Sequence, residues 1–549
     1  MSVDKSQAIA GSGYTPDPER LAREANAGFW PDRTINDYLN DTLVSRPDAR
    51  YLTAYRADQA EPVTLTYSEL SSIVDDIAAQ LGRIGVQHGD VVSFQVPNWW
   101  QFIAIHLACV RAGAISNPLM PIFRERELEF MVGRSGSKVL IVPKTFRGFD
   151  HEKLAKRMKE KLAGLEHVVV IDGNDKDAFE SVLLRSPRRG PKNDQPGLQP
   201  NDIMKIMYTS GTTGEPKGVM HTSNTILSSM AGATDRLGLT RSDVFFMPSP
   251  FGHSIGFCYG ILMSLYLGAE IVTMDVWDPV GAADIIERHD VAFMFGATPF
   301  LSDLVNLPGM EGRKLGHFKT FLTSGAPVPP ALVERATLVF GADVLSGYGM
   351  TELGLVCAVM SADPDRGRET DGCVLPHVEV RVVDAAQQQV ARGTEGELQC
   401  RGSSMFVGYY GRPDLYERDE HGWFSTGDLA KMDEDGYIRI VGRSKDIIIR
   451  GGENIPVVEV ENLMHEMPQI NEVAIVGMPD KRLGERGCAF VSLHNGTDLT
   501  LSQVTDFLDS RNLARQYLPE KLVIIDSLPK TPAGKVQKFE LRELASRAT

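Results

Sequence analysis

Residues 208–218 read YTSGTTGEPKG, and this segment says most about the fold. Gly211 and Gly214 carry no Cβ, so the backbone at these positions can approach a ligand closely. Lys217 adds a cation. Hydroxyl side chains occupy the positions around the glycines: Thr209, Ser210, Thr212 and Thr213. Backbone and hydroxyl donors beside an ammonium group suit the oxygens of a polyphosphate, so the segment predicts a phosphate-binding loop.

The loop lies between a predicted strand at 205–209 and a helix predicted after Val219. It is not a Walker loop, because that motif needs Gly-Lys followed by Ser or Thr at the mouth of a helix. Here Pro216 precedes Lys217 and Gly218 follows it. A shorter cluster of Ser, Thr and Gly would indicate an ordinary polar turn, but the full string is too specific for that interpretation.

Size and charge limit the function classes. The chain has 549 residues, which is more than one compact core holds, so we expect at least two domains. Its 57 basic and 72 acidic residues give a formal net charge of −15. An acidic chain without a stripe of Lys and Arg lacks the footprint of a nucleic-acid-binding protein. DNA, RNA and anionic membranes are therefore not expected partners.

The cysteines and apolar stretches predict a compartment. Six cysteines are scattered along the chain without a C-x-x-C pair, so no zinc ribbon or thioredoxin-like redox site is predicted. The first thirty residues lack the apolar run of a secretory signal. The most apolar stretch, 255–269, is shorter than the roughly 20 residues that span a bilayer, so we expect a buried helix there. We expect a cytoplasmic protein without stable membrane insertion, and the sequence leaves a homodimer open.

The first part of the chain alternates helical and extended patterns. Apolar residues between Tyr67 and Leu81 fall at helical spacing, 91–96 reads as a strand, 102–111 as a helix and 138–143 as another strand. This alternation favours an α/β fold with parallel or mixed sheets flanked by helices. The pattern resumes at Ile203 after a Pro- and Gly-containing linker, and continues to about Val344.

The pattern changes in the last third of the chain. Short strands separated by Gly- and Asp-containing turns begin at Val378 and predict a small β-barrel or sandwich subdomain. From Asp446 onward, strand patterns at 471–478, 488–494 and 521–526 surround an amphipathic helix at 501–508. This predicts a small α+β C-terminal domain of about a hundred residues.

Further segments carry side chains of the kinds that a nucleotide site needs. Tyr348 offers a flat face to a base, and Glu352 offers the oxygen ligands that Mg²⁺ prefers. Asp428 can accept hydrogen bonds from two neighbouring hydroxyls, as a ribose presents them. The segments are SGAP at 324–327, GYGMTE at 347–352, WFSTGD at 423–428, GRSKDIIIRGGENI at 442–455 and PKTPAGK at 529–535.

Together with the loop at 208–218, these segments closely resemble the adenylate-forming superfamily, which includes acyl-CoA synthetases, luciferases and peptide-synthetase adenylation domains. The resemblance covers nearly the whole chain, because the segments follow one another in the family's order. It implies a large N-terminal domain at 1–442, a hinge at 443–446 and a small, mobile C-terminal domain at 447–549. It also implies ATP, Mg²⁺ and coenzyme A as ligands and a small carboxylic acid as the substrate.

The resemblance implies roles for individual residues. The loop from Thr209 to Gly214 and Lys217 would hold the phosphates, Thr351 would contact the α-phosphate and Glu352 would hold the metal. Further residues would contact the nucleotide: Ser324, Gly325, Ala326, Pro327, Gly347, Tyr348, Gly349, Met350, Asp428 and Arg443.

Residues around and beyond the predicted hinge would serve the two steps of a ligase. By the same resemblance, Lys445 would be the hinge residue and Lys535 the catalytic lysine. Gly451 and Gly452 would border the pantetheine tunnel, although the pair also fits a hairpin turn. A regulator or ATPase that performs no acyl transfer should have lost at least one site residue. It is therefore counted against by five residues that are all present: Lys217, Glu352, Asp428, Arg443 and Lys535.

The acid is the least determined ligand. We expect its pocket near 251–253, Phe257 and 295–299, segments that hold no Lys or Arg for a second carboxylate. His253 either shapes this pocket, with a chemical role, or is a packed core histidine. The resemblance is greatest to bacterial short- and medium-chain ligases, particularly those for alicyclic acids such as cyclohexanecarboxylate. Medium-chain fatty acids, benzoate-like aromatic acids and an enzyme that stops at the acyl-adenylate stay open.

Overall fold

The computed structural model describes residues 12–184, 196–209, 215–325, 328–446, 448–450, 453–511, 513–531 and 535–547. Five side chains within these ranges are also outside the description: Arg368, Lys445, Ile449, Glu453 and Asn454. Of the predicted site residues, several lie outside the described ranges: Ser210, Gly211, Thr212, Thr213, Gly214, Ala326, Pro327, Gly451 and Gly452.

The first sheet of the N-terminal part, sheet A, is mixed. Its central strands pair in parallel, while both edges are antiparallel. In spatial order its strands are Cys373–Val374, Gly354–Ala358, Asp343–Met350, Thr320–Thr323, Val291–Gly296, Val244–Phe246, Ile271–Met274, Arg50–Tyr55 and Val63–Thr66.

The second sheet, sheet B, carries the predicted phosphate loop. Parallel pairing runs through its core, and the strand that ends at Thr209 turns back antiparallel into the strand that begins at Lys217. In spatial order its strands are Gly408–Tyr409, Lys217–Thr222, Ile203–Thr209, Ile115–Pro118, Val91–Phe94, Val139–Pro143 and His167–Ile171. A short hairpin, Thr145–Phe146 with Phe149–Asp150, lies beside it.

Helices pack on sheets A and B as the alternating pattern predicts. The helix predicted from Tyr67 runs to Arg83 and begins at a capping box formed by Thr66 and Glu69. The helices of this part are Pro18–Ala27, Ile35–Ser45, Tyr67–Arg83, Trp100–Ala112, Glu125–Arg134, His151–Lys161, Phe179–Leu183, Ser223–Leu237, Met263–Leu267, Pro279–Arg288, Thr298–Val305 and Pro330–Phe340. Short 3₁₀ turns lie at Met310–Gly312, Pro364–Arg368 and Pro413–Leu415.

The short strands after Val378 form an antiparallel sheet, sheet C. Its order is Val378–Val383, Gly396–Gly402, Phe424–Met432 and Ile438–Arg443. The strands lie where the barrel or sandwich subdomain is predicted, and their pairing gives an open sheet. Trp423 packs between the guanidinium groups of Arg381 and Arg401, at 4.6 and 4.5 Å from its ring, so it stabilises this sheet.

The C-terminal part is α+β, as predicted. Its sheet, sheet D, runs Glu453–Ile455, Ile448–Arg450, Gly484–Leu493 and Ile470–Asp480, with Lys521–Ile524 parallel to Gly484–Leu493. Its helices are Val457–His465, Leu501–Ser510 and Lys538–Arg547, with 3₁₀ turns at Ser444–Asp446 and Arg515–Tyr517. The protein therefore has a large α/β N-terminal part with mixed sheets and a small α+β C-terminal part.

The apolar stretch at 255–269 is buried, but the expectation of an ordinary helix needs correction. Ile255–Leu262 is a π-helix, and only Met263–Leu267 is α-helical. A Cβ on Gly256 would lie 2.4 Å from the carbonyl oxygen of Pro250, so the wide turn is packed directly against the preceding backbone. π-helical turns are frequent at functional sites. Within the described ranges, no helix is both long and apolar enough to cross a membrane.

Candidate active site

Three of the predicted site segments lie at one edge of sheet A. The strands Thr320–Thr323 and Asp343–Met350 are parallel neighbours, and their carboxyl ends lead into Ser324 and into Thr351. Val291–Gly296 is the next strand and leads into the predicted acid-pocket segment. Ligands of open α/β sheets bind at the carboxyl ends of the strands, and this edge has that position.

Thr209 and Lys217 mark the two sides of the predicted phosphate loop. They pair across the antiparallel strands of sheet B, which brings both ends of the loop together. The Nζ atom of Lys217 lies 5.1 Å from the centre of the Tyr409 ring. The ammonium group is thus positioned by an aromatic face rather than by a carboxylate, which leaves its charge available to a phosphate.

Tyr348 and Arg443 form a cluster around the buried carboxylate of Asp428. The Tyr348 hydroxyl donates to Asp428 Oδ2 at 2.5 Å, and Arg443 Nε lies 2.9 Å from Asp428 Oδ1. Asp428 is 3% exposed, and burial together with this carboxylate raises the pKa of Tyr348 well above its usual value. Three of the predicted nucleotide contacts, from different parts of the sequence, therefore lie together.

Glu352 is a buried carboxylate beside this cluster. It is 7% exposed, and its Oε1 accepts a hydrogen bond of 2.9 Å from the Tyr409 hydroxyl. Burial raises the pKa of Glu352, whereas this bond and the cations Arg443 and Lys217 oppose the shift. The hydroxyl of Tyr409 and the charges of Arg443 and Lys217 therefore stabilise the ionised carboxylate of Glu352.

The remaining predicted nucleotide residues contribute mostly backbone. Gly347, Gly349 and Met350 lie on the strand that ends at Thr351, next to Tyr348. A Cβ on Gly349 would lie 2.4 Å from the Gly354 carbonyl oxygen, so only glycine fits between these strands. Ser324 and Gly325 follow the neighbouring strand, and Ser324 is buried.

Thr351 connects the phosphate side of the site to the predicted acid pocket. Its hydroxyl accepts a hydrogen bond of 3.1 Å from Ser254, and its carbonyl accepts one of 2.7 Å from His221. Ser254 in turn lies 3.1 Å from the sulfur of Met207, on the strand that leads into the phosphate loop. Position 254 therefore links the loop, Thr351 and the start of the π-helix.

His253 lies next to Ser254, with its side chain partly exposed. Its Nδ1 accepts a weak hydrogen bond from the Ile255 amide at 3.3 Å. Burial lowers the pKa of His253 to about 4, with smaller contributions from Lys205 and Lys535. The imidazole is therefore neutral at physiological pH, which suits a packing or hydrogen-bonding role near the acid.

Lys205 is a feature that the pocket segments do not reveal. Its side chain is 0% exposed, and its Nζ lies 3.5 Å from Cys258 Sγ, 3.9 Å from Met207 Sδ and 4.8 Å from the Phe257 ring centre. No carboxylate in the described part of the chain pairs with it. Burial lowers the pKa of the Lys205 ammonium. The acid-pocket segments hold no lysine, as noted above, but the strand before the phosphate loop places one beneath the π-helix.

Lys535 approaches the cluster from the C-terminal part. Its side chain reaches solvent, but protein atoms crowd around it, and this desolvation followed by Arg443 lowers its pKa to about 8. Asp428 acts on it in the opposite direction, and Lys535 in turn acts on His253. Lys535 thus lies within electrostatic range of both the Asp428–Arg443 pair and His253.

Comparison with known proteins gives the family. A family model described as AMP-binding enzyme matches residues 40–410, and one described as AMP-binding enzyme C-terminal domain matches residues 459–535. The chain belongs to the AMP-binding enzyme family. A medium-chain fatty-acid–CoA ligase of Escherichia coli is 36% identical over 535 residues, which cover 96% of this chain and 93% of that protein.

Other members of the family are similar over nearly their full length. A 2-hydroxy-7-methoxy-5-methyl-1-naphthoate–CoA ligase of Streptomyces carzinostaticus is 32% identical, with 99% of each chain covered. The structure of ATP-bound MatB from Rhodopseudomonas palustris superposes with a TM-score of 0.83 at 27% identity, covering 93% of this chain and 99% of that one.

The residues around Glu352 suit the Mg²⁺ that the family resemblance implies. Mg²⁺ takes one or two protein carboxylates and completes its shell with phosphate and water. Glu352 offers such a carboxylate, and Lys217 lies within electrostatic range of it. In the described residues no group of three or more His, Cys, Asp or Glu could hold a metal ion.

Two residues of this AMP-binding enzyme escape sequence reasoning: Tyr409 and Lys205. Tyr409 contacts Glu352 from 57 positions along the chain, so no local pattern joins them. Lys205 sits in a strand whose residues 203–207 are all buried, so a lysine within an otherwise apolar run is the one signal that could have been found. Lys445 has no described side chain, and the strands on either side of 451–452 pair with Arg450 opposite Glu453.

Proposed function

We propose that the protein is an acid–CoA ligase that uses ATP to form an acyl-adenylate and then transfers the acyl group to coenzyme A. The observation that carries this proposal is the position of Lys535, within electrostatic range of the Asp428–Arg443 pair on one side and His253 on the other. A cation at this point acts electrostatically on both the nucleotide cluster and the segment expected to bind the acid. This supports a site in which an acid is joined to a nucleotide.

In the first half-reaction, an oxygen of the substrate carboxylate attacks the α-phosphorus of ATP. The bond to pyrophosphate breaks, and pyrophosphate leaves. The acid is already ionised at neutral pH, so this step needs no general base. Two anions must approach each other, and the barrier is lowered by positive groups fixed in place beforehand. Lys217, Lys535 and the hydroxyl of Thr351 are the groups that we assign to this task.

The cluster of Tyr348, Asp428 and Arg443 would hold the nucleotide. Tyr348 stacks on the base, and Asp428, oriented by Tyr348 and Arg443, accepts from the ribose hydroxyls. Glu352 would hold Mg²⁺, which, when bound, neutralises charge on the phosphate oxygens. Thr209 and the loop that follows it, with Lys217, would bind the phosphates.

In the second half-reaction, the thiol of coenzyme A attacks the carbonyl carbon of the acyl-adenylate. The carbonyl-to-phosphate bond breaks, AMP leaves, and the thiol loses its proton. We place the domain boundary at 443–446, with domains at 1–442 and 447–549, and propose that the C-terminal domain turns there about Lys445. Rotation would withdraw Lys535 and bring Gly451 and Gly452 to the tunnel for the pantetheine arm.

We assign to the pocket an acid with a compact side chain and no second charged group: a medium-chain or alicyclic acid such as cyclohexanecarboxylate. Most residues of the segments expected around the acid are buried and apolar, and Tyr259 packs on Phe295 with ring centres 5.2 Å apart. The relative from Escherichia coli, named for medium-chain fatty acids, supports this class. The relative named for a naphthoate favours aromatic acids as the second candidate.

The proposal is tested with a panel of acids. Purified protein is mixed with ATP, Mg²⁺, coenzyme A and hexanoate, octanoate, cyclohexanecarboxylate, benzoate or malonate, and pyrophosphate, AMP and thioester are measured. We expect thioester formation with the monocarboxylic acids and background rates with malonate, which carries a second carboxylate. Pyrophosphate release without AMP or thioester would mean that the enzyme stops at the acyl-adenylate, and acid-independent ATP hydrolysis would contradict the ligase assignment.

A further inference from the structure

We propose that Tyr409 is a positioning residue that sets the metal carboxylate Glu352 and the phosphate-loop lysine Lys217 relative to each other. The inference rests on the proposed function, because it concerns how the enzyme binds the magnesium complex of ATP. Tyr409 lies on the short strand Gly408–Tyr409 at the edge of sheet B, outside the segments with predicted site roles. It contacts both groups at once.

The first contact fixes Glu352. The Tyr409 hydroxyl donates to Glu352 Oε1 at 2.9 Å, and both side chains are buried. A buried carboxylate without donors would be costly, and its orientation would be free. The bond uses one oxygen of Glu352 and directs the carboxylate plane, so the other oxygen is presented in one direction. That is the arrangement that a single-carboxylate Mg²⁺ site needs.

The second contact fixes Lys217. Its Nζ lies 5.1 Å from the centre of the Tyr409 ring, within the range of a cation–π interaction. The ring therefore supports the lysine without neutralising it, whereas a carboxylate at this place would compete with the phosphates. One side chain thus holds the two groups expected to contact the phosphates and their metal.

The turn before Tyr409 is anchored on three sides. The Phe406 amide donates to the Glu352 carbonyl at 2.8 Å, and the Phe406 and Tyr409 rings meet edge to face with centres 4.8 Å apart. Arg20, from the N-terminal helix Pro18–Ala27, donates to the carbonyls of Phe406 and Met405 and is 5% exposed. The N-terminal helix therefore fixes the backbone from which Tyr409 projects.

The test separates the hydroxyl from the ring. Tyr409→Phe removes the donor to Glu352 and keeps the ring beneath Lys217, whereas Tyr409→Leu removes both. Binding of a fluorescent ATP analogue is measured by titration with and without Mg²⁺, in the absence of acid and coenzyme A. Tyr410→Phe is the matched control, since it is the neighbouring buried tyrosine and packs in a separate cluster with Tyr14 and Ile203.

The two variants should differ in their dependence on the metal. A hydrogen bond to a charged group is worth enough to change affinity by about tenfold or more. We expect Tyr409→Phe to weaken binding of the magnesium complex by about that factor, to raise the Mg²⁺ concentration for half-maximal binding, and to leave metal-free binding unchanged. Tyr409→Leu should weaken metal-free binding as well, and Tyr410→Phe should match the wild type.

Two outcomes would overturn the inference, and a third separates it from the proposed function. Equal loss with and without Mg²⁺ in Tyr409→Phe would overturn it, because a merely structural residue affects both alike. Binding of the magnesium complex by Tyr409→Phe with wild-type affinity would also overturn it. A thermal melt of each variant confirms that it is folded. If the wild type binds the magnesium complex but converts no acid of the panel, the proposed function fails while the result on Tyr409 still stands.

Discussion

The two sides of Thr351 differ in how their buried charges are compensated. On the phosphate side, Asp428 pairs with Arg443 and Tyr348, and Glu352 accepts from Tyr409. On the acyl side, Lys205 is fully buried against sulfur atoms and an aromatic ring, and within the described ranges no carboxylate pairs with it. Asp428 and Glu352, on the phosphate side, therefore have hydrogen-bond partners without a ligand. Lys205, on the side expected to bind the acid, has no carboxylate partner within the described ranges.

The difference in pairing between the two sides has a physical reason. A preorganised, fully paired cluster suits a ligand that every turnover shares, because it needs no reorganisation when ATP binds. A buried amine without an anion costs stability, and burial favours its neutral form. Lys205 therefore lowers the stability of the fold. The acyl side differs in this respect from an ordinary apolar core, which contains no buried amine.

Of the changes on the two sides of Thr351, breaking the paired side has the largest expected effect. Asp428→Asn weakens the bonds to both Tyr348 and Arg443 and removes the negative charge that compensates Arg443. Two charged hydrogen bonds together correspond to about 10²-fold or more in kcat/KM for ATP. Steady-state kinetics with varied ATP measure this, and Asp435→Asn on the exposed turn of sheet C serves as the control. A loss below threefold would mean that the paired cluster does not bind the nucleotide.

Lys205→Met should have the opposite sign on stability. Methionine fills a similar volume and removes the cost of burying an amine, so the free energy of unfolding should rise by on the order of 1 kcal/mol. Thermal melting monitored by dye fluorescence measures the change. Lys431→Met, at an exposed lysine near Glu395, is the control and should be neutral. A lower melting temperature in Lys205→Met would show that the amine is stabilising and would remove the contrast between the two sides.

The same variant carries a pH dependence with a definite sign. The pKa of Lys205 in the folded protein is below its unfolded value of about 10.4, so the unfolded chain binds the additional proton. Wild-type stability therefore gains from this group as pH rises through the window between the two pKa values. The advantage of Lys205→Met should be largest at lower pH and shrink as pH approaches 10. An advantage that grows with pH would contradict a lowered pKa for Lys205.

The smallest expected effect is at His253. Because its pKa is lowered to about 4, the imidazole should remain neutral from about pH 5.5 to pH 8. His253→Gln keeps a polar side chain of similar reach and should raise KM for the acid by no more than about fivefold, with KM for ATP unchanged. The kcat/KM for the acid should have parallel pH profiles in the two proteins over that range. An inflection near pH 6.5 in the wild type that the variant lacks would contradict a neutral His253.

Much of the fold could be predicted from local pattern, because strand and helix periodicities are local properties. The helix from Tyr67, the mixed sheets and the α+β C-terminal part were predicted in this way. The π-helix at 255–262 was not, since it depends on the close approach of Gly256 to the Pro250 carbonyl. A wide helical turn and an ordinary one show the same apolar pattern.

The site residues also divide into those that a local sequence pattern predicts and those that only the folded structure reveals. Residues in continuous motifs, such as Tyr348 and Glu352, could be assigned expected roles from the sequence. Tyr409 and Lys205 could not, because a hydrogen bond across 57 positions and the depth of a buried strand are tertiary properties. The sequence of the first thirty residues shows only polarity, whereas the structure gives the helix Pro18–Ala27 with Arg20 inserted beneath the turn before Tyr409.

The central claim is that Lys535 serves the adenylation step, and separate assays of the two half-reactions in Lys535→Ala test it most directly. Loss of one fixed positive group should slow acid-dependent pyrophosphate release by about 10²–10³. Thioester formation from supplied acyl-adenylate and coenzyme A should stay near the wild-type rate, and Lys530→Ala, in the same loop, should leave both rates intact. Equal loss of both half-reactions in Lys535→Ala would contradict the claim.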